Sequence, residues 1–305
     1  DTHATYLMLF LVLAYLTFLE KTYLLPKTNP DAKIYNFGPV FPALLTVVMV
    51  VGAYFINIRP ALANHYGIEG IKAVKLGNYV EVLPNFQKSL SYGTYMDEEI
   101  RNHLAEYARQ MGGSGKLSAD SRTMLYKYVA DELEKNLVAS PHDAKNYLYL
   151  MNLYNVAAAE TGKIERVFIL GHEALKLSPT RMQIYFELGQ AAFLVEREDE
   201  GLEYFRKGVE LNGEPKESHI NYLMAGIFAR RQDIAEQELG ELSRRGYKLT
   251  AGEESNLAYA FAQVCDVGAA RTHVAAAVSL DPALAAAAPE FFSTLEQRCS
   301  ASEAN

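Results

Sequence analysis

The 305-residue sequence has no tryptophan and only two cysteines, Cys265 and Cys299. With no CxxC and no His/Cys spacing suited to a metal, these cysteines argue against a thiolate-held ion. Two partly buried free thiols are the expectation, with a late disulfide as the alternative. A phosphate cradle is also missing. GGSG at 112–115 has no GK[ST] after it and no strand before it, so it reads as the flexible part of a loop ahead of a helix over 121–139. The seven histidines, His3, His65, His103, His142, His172, His219 and His273, form no HExxH, no i,i+4 pair and no triad. The acidic group Glu196, Glu198, Asp199 and Glu200 reads as a solvated turn rather than a metal site. No catalytic residue, metal site or cofactor is therefore expected.

Basic surplus is lacking too. Residues 1–58 balance Lys21, Lys27 and Lys33 against Asp1, Glu20 and Asp31, so the net charge of -8 belongs to residues 59–305. An acidic domain gains nothing from phosphate contacts, which argues against nucleic acid as a partner.

Long uncharged runs, by contrast, are present. Residues 5–19 (TYLMLFLVLAYLTFL) and 37–58 (FGPVFPALLTVVMVVGAYFINI) carry no charge and predict two transmembrane helices. The second run makes about 33 Å of helix at 1.5 Å per residue, enough to cross a bilayer. The first makes only about 22 Å, and needs flanking Tyr23 and a snorkelling Lys21 to complete a crossing. Asp1, Thr2 and His3 supply no positive region for a secretory signal, and no small-residue cleavage site follows. The start at Asp1 predicts the tail of a longer protein. Three lysines in the loop over 20–36 lean toward a cytoplasmic loop and an extracytoplasmic repeat domain.

Beyond Arg59-Pro60 the pattern becomes helical and repetitive. A helix-turn-helix unit of about 34 residues has characteristic positions 4, 7, 8, 11, 20, 24, 27 and 32. Residues 182–215 place Tyr185, Leu188, Gly189, Ala192, Gly201, Phe205, Gly208 and Gly213 there without gaps. Residues 251–284 match with Leu257, Ala258, Phe261, Ala270, Ala277 and Pro282, and 216–249 more weakly through Tyr222, Ala235, Leu239 and Leu242. Small residues let the paired helices approach, large ones fill the space between units, and proline ends the second helix. Residues 144–181 are a variant in which Thr161-Gly162 falls four residues late, about one helical turn.

The expected fold is all-α: two transmembrane helices followed by a tetratricopeptide-like α-solenoid. Its expected divisions are a two-span segment at 1–58, divergent helices at 59–140 with a flexible loop near 112–120, repeats with a capping helix kinked or restarted at Pro289 over 141–299, and a frayed tail at 300–305. The first helix of the earliest hairpin is expected to continue from the second span.

DTHATYLMLFLVLAYL, then the span ending in NIRPALA, then GNYVEVLPNFQKSLSYGTYMDEEIRNHLAEYA resembles the last membrane helices and following repeats of O-antigen ligase and polymerase-like membrane proteins with tetratricopeptide repeats. The likeness covers roughly residues 1–110, including Asp1-Thr2 and Thr5-Tyr6. It implies a parent that moves lipid-linked sugar chains in a bacterial inner membrane. The arginine-bearing loops tied to that activity have no counterpart here, so no catalytic residue carries over.

Binding is the expected role, with a protein or peptide and the lipid bilayer as partners. A self-contained two-span scaffold assembling another membrane complex is the alternative. In such arrays positions 2, 5, 9, 12 and 13 of each first helix line the concave face. These are Lys145, Leu148, Asn152, Asn155 and Val156 in one unit, and Gln183, Phe186, Gln190, Phe193 and Leu194 in the next. The amides would hydrogen-bond a peptide backbone while the two phenylalanines bury its apolar side chains, unless those rings pack against neighbouring helices. The amides are read as exposed groups whose removal leaves stability unchanged.

Overall fold

The chain's computed structural model describes residues 2–19, 40–113 and 115–302. Every regular element among them is helical. The chain forms two compact units, Asp1–Leu104 and Ala105–Asn305.

The first unit contains α1 (Thr2–Leu19) and α2 (Val40–Ala53), which runs through a π turn (Tyr54–Ile58) into α3 (Arg59–Lys75) without a break. Pro60 explains the π turn. Lacking an N–H and bulky toward the preceding turn, proline disfavours the ordinary i→i−4 ladder, and here the Arg59 amide donates to the Tyr54 carbonyl instead. One helix among the described residues, Ala43–Lys75, is long and apolar enough to cross a membrane, and its most apolar stretch is only 6% buried. That is one candidate crossing where two were expected. The loop at 20–36, with Lys21 and Tyr23, lies outside the described residues.

α3 pairs with α4 (Tyr79–Leu90) as an antiparallel hairpin. Close approach needs small residues: a Cβ on Gly70 would lie 3.2 Å from the Phe86 ring, and the Ser89 hydroxyl donates to the Ala63 carbonyl at 2.6 Å.

The division between units falls within α5 (Asp97–Gly112). Only residues 113–118 separate α5 from α6 (Ala119–Ala139), where Ser118 caps the helix by accepting from the Ser121 amide. Four hairpins follow: α7 (Ala144–Val156) with α9 (Ile164–Leu177), α10 (Met182–Leu194) with α11 (Glu198–Leu211), α12 (Lys216–Phe228) with α13 (Gln232–Arg244), and α14 (Ala251–Gln263) with α15 (Val267–Leu280). The four-residue insertion is a separate turn, α8 (Ala158–Thr161), ended by Gly162 at φ 63°.

Gly162 occupies the slot taken in the next three repeats by Glu196, Arg230 and Cys265, all left-handed at φ 61°, 54° and 62°. There the following amide reaches back to a carbonyl five residues earlier, as in Arg197 N–H to Ala192 O at 2.8 Å and Asp266 N–H to Phe261 O at 2.9 Å. The insertion thus restores the register of the inter-helix turn. Position 4 performs a second repeated task. Tyr147 and Tyr185 donate to the carbonyls of Pro141 and Pro179, and His219 Nε2 meets the Gly213 carbonyl, each bond spanning six residues and fixing the turn between repeats. His219 also meets Glu238 at 2.5 Å; one repeat later the pair is inverted as Glu254 and His273, 2.7 Å apart.

The expectation of free thiols is corrected: Cys265 and Cys299 form a disulfide, with Cα atoms 5.6 Å apart. A 3-10 turn (Pro282–Ala286) lets α16 (Ala288–Ser302) restart around Pro289 and fold back on the last repeat. Leu295 of α16 clusters with Ala262 and Ala270, carrying Cys299 to the left-handed turn at Cys265.

Candidate functional site

α7 and α10 present neighbouring first-helix faces in the second unit, and the register of each is set locally. The Asp143 carboxylate caps α7 by accepting from the Lys145 amide at 2.8 Å. Leu188 of α10 fills the gap opposite Gly171 of α9, where a Cβ would lie 2.5 Å from a leucine methyl.

Along this face runs a cavity of about 460 Å³ lined by Lys145, Leu148, Asn152, Gln183, Arg181 and Glu187 together with Glu106 and Arg109 of α5. A second cavity of about 650 Å³ is lined by Phe186, Gln190, Phe193, Leu194, Met224 and Phe228. Glu187 lines both. Eight of the ten residues expected on the concave face therefore open onto one cavity or the other. Val156, 38% exposed, lines neither, and nor does Asn155, which is 3% exposed and lies beneath the surface.

Asn155 and Asn152 instead organise Glu187. Asn152 Nδ2 donates to Glu187 Oε1 at 2.9 Å, while Asn155 Nδ2 donates to Glu187 Oε2 at 2.7 Å and to its carbonyl at 2.9 Å. Burial pushes the Glu187 carboxyl above the usual carboxylate range, against the pull of the two asparagine bonds. Lys145 rests 5.6 Å over the Tyr149 ring, and Arg109 is held by Glu106 at 2.5 Å. The first cavity thus has amides, two carboxylates and cations among its lining residues.

The second is aromatic. Phe186 and Phe193 flank Phe205 at centroid distances of 5.8 and 6.1 Å. Each ring also sits where a neighbouring glycine leaves space, Phe186 on Gly208 and Phe193 on Gly201. Both phenylalanines thus do two things, packing the hairpin and lining the cavity.

Sequence reasoning missed Glu187, Arg109 and Arg181. Glu187 had a signal, being the only charged residue in α10 (MQIYFELGQAAFL). Arg109 had none, because α5 is distant in sequence from α7. Among the described residues no group of three His, Cys, Asp or Glu side chains could hold a metal ion. What the faces offer is non-covalent: amide groups, a few cations and an aromatic floor.

No family model matches the sequence, and no curated protein matches it. Among solved structures, the chain is similar to pilF of Pseudomonas aeruginosa, at 18% identity and TM-score 0.46 over 73% of this chain and 94% of that one. A thermophilic TPR protein of Thermus thermophilus is 16% identical with TM-score 0.44 over 72% and 100% of the two chains. MamA from Desulfovibrio magneticus is 14% identical with TM-score 0.44 over 60% and 94%. These overlaps are too loose to carry an argument, and the repeat architecture rests on the chain's own hairpins, whose turns recur with one hydrogen-bond pattern.

Proposed function

We propose that this chain is a membrane-anchored tetratricopeptide-like scaffold whose first-helix faces receive an extended segment of a partner protein. The carrying observation is that a cavity lined by amide and charged side chains and a neighbouring one floored by phenylalanines share Glu187. Amides at Gln183 and Gln190 suit a peptide backbone, and the aromatic floor suits its apolar side chains. A photoreactive residue at Gln183 or exposed Gln190 should crosslink a discrete protein in intact cells, while one at Val138, which is 84% exposed on α6, should not. Equal crosslinking at all three sites would refute the assignment.

Anchoring rests on the helix through α2, and a second crossing by α1 is supported by its 18 uncharged residues and exposed Leu11, Leu13, Leu16 and Phe18. Alkaline carbonate should leave the protein in the membrane pellet; release would sink the anchor. The disulfide supports an oxidising, extracytoplasmic compartment for the repeats, in agreement with the lysine-rich loop. The finer reading, a C-terminal module of a glycan-handling protein of the O-antigen ligase/polymerase type, is supported by the sequence resemblance alone. The open reading frame upstream of Asp1 separates it from a self-contained scaffold, since about ten further membrane helices would favour the module.

A further inference from the structure

We infer that the turn between α4 and α5, residues 91–96, is a lipid-contact site seated in the headgroup layer of the membrane crossed by α2. The inference rests on the anchoring proposed above. Val40 to Ile58 makes about 28 Å of helix, close to the roughly 30 Å of a hydrocarbon core. The first charge beyond it is Arg59, and the helix continues unbroken into α3. Height above the bilayer can therefore be read along α3.

The antiparallel return of α4 brings the turn down to that level. Phe86 lies against Gly70, Ser89 against Ala63, and finally Gly93 against Arg59, where a Cβ would be 3.2 Å from the guanidinium. Headgroup layers are about 5–8 Å deep on each side, so a segment touching Arg59 lies within one. Its side chains suit that layer. Tyr95 is 68% exposed, and Tyr54 on the last turn of the span is 44% exposed. Arg59 lies 5.4 Å over Phe55 at that level, and Tyr92, stacked on Tyr66 at 6.0 Å with Lys88 5.6 Å over its ring, marks the outer limit of the patch about 10 Å along α3. Tyrosine rings with a polar tip, mixed with basic side chains, favour the boundary between headgroup and acyl chain. Glu98 and Glu99 open α5 just beyond the turn, so the partner is a zwitterionic interface rather than an anionic lipid.

The absence of tryptophan allows a clean test in the full chain reconstituted into phosphatidylcholine vesicles. Tyr95→Trp becomes the only indole. Its emission should be blue-shifted and quenched about twofold or more by phosphatidylcholine bearing a headgroup nitroxide. Val80→Trp is the aqueous reference, since Val80 is 82% exposed at the far end of the hairpin, about 25 Å along α3 from Arg59. It should be unquenched. Val48→Trp, within the span, should respond to a mid-chain nitroxide. Quenching at Val48 with Tyr95→Trp as unresponsive as Val80→Trp would overturn the lipid contact alone. No quenching at Val48 would remove the membrane crossing and the contact with it.

Discussion

Replacing Asn155 by alanine tests the organisation of the site at its centre. The substitution removes one hydrogen bond to a backbone carbonyl and one to a half-buried carboxylate, both donated to Glu187. A neutral bond contributes about 1 kcal/mol and one to a charged group about 1.5–3 kcal/mol. Loss of the buried Asn155 Oδ1, which has no partner, offsets part of this. The net cost should be about 2–3 kcal/mol at pH 7, a fall of roughly 4–12 °C in the melting temperature of a unit this size. Asn152→Ala, at a half-buried residue with a single bond to the carboxylate, should cost less, about 0.5–1.5 kcal/mol. The pH dependence has a definite sign. The folded Glu187 pKa lies above its unfolded value, so the stability it contributes is full below the ordinary carboxylate range and is lost as pH rises through the raised folded value. Asn155 favours the ionised form, so its removal should matter most above that value and least in acid. Thermal unfolding followed by helical circular dichroism at pH 4 and pH 7 measures both effects. An Asn155→Ala protein melting within about 1 °C of the parent at pH 7 would refute the reasoning, because two hydrogen bonds donated from a buried side chain would then contribute nothing.

Reduction of the Cys265–Cys299 bond, or Cys299→Ser, frees a loop whose ends are 34 residues apart and should lower stability by about 4 kcal/mol, with hydrogen exchange rising first in α16. Unchanged exchange in α16 after reduction verified by mass would count against the bond as its tether. Gly208→Ala puts a Cβ 2.3 Å from the Phe186 ring and should cost about 1–3 kcal/mol in denaturant titrations. Gly240→Ala in α13, with open space around it, should stabilise by about 0.5–1 kcal/mol; equal effects would contradict the packing. His219→Leu takes the imidazole from Glu238, 2% exposed, leaving it the 3.3 Å bond from Gln237, and should cost about 3–5 kcal/mol, most of it recovered in the His219→Leu, Glu238→Leu double variant. A double variant no better than the single would show that the pair is not the coupled unit.

The helices and their pairing were legible because their causes are local. Repeats at 182–215 and 251–284 announce themselves through glycine and alanine where helices must touch and through large side chains where units meet. The lining was partly legible for the same reason, since helical spacing assigns Lys145, Leu148 and Asn152 to one face of α7. Angular position alone cannot give depth, however. Asn155 shares that face, yet α10 covers it, and the charge it holds, Glu187, comes from a helix one repeat away. Phe186 shows the same limit, because its second role depends on Gly208 in the partner helix.

By itself, then, the sequence determined the apolar span, the all-helical class and the period of the hairpins, properties written in hydrophobicity and short-range spacing. Tertiary structure alone decided the rest. It folded α16 back so that two cysteines 34 residues apart could bond, and placed Asn152 and Asn155 against Glu187. It also brought the α4–α5 turn down to Arg59. Each of these joins side chains from separate helices, and the positions of separate helices follow from how whole faces pack, which no local pattern encodes.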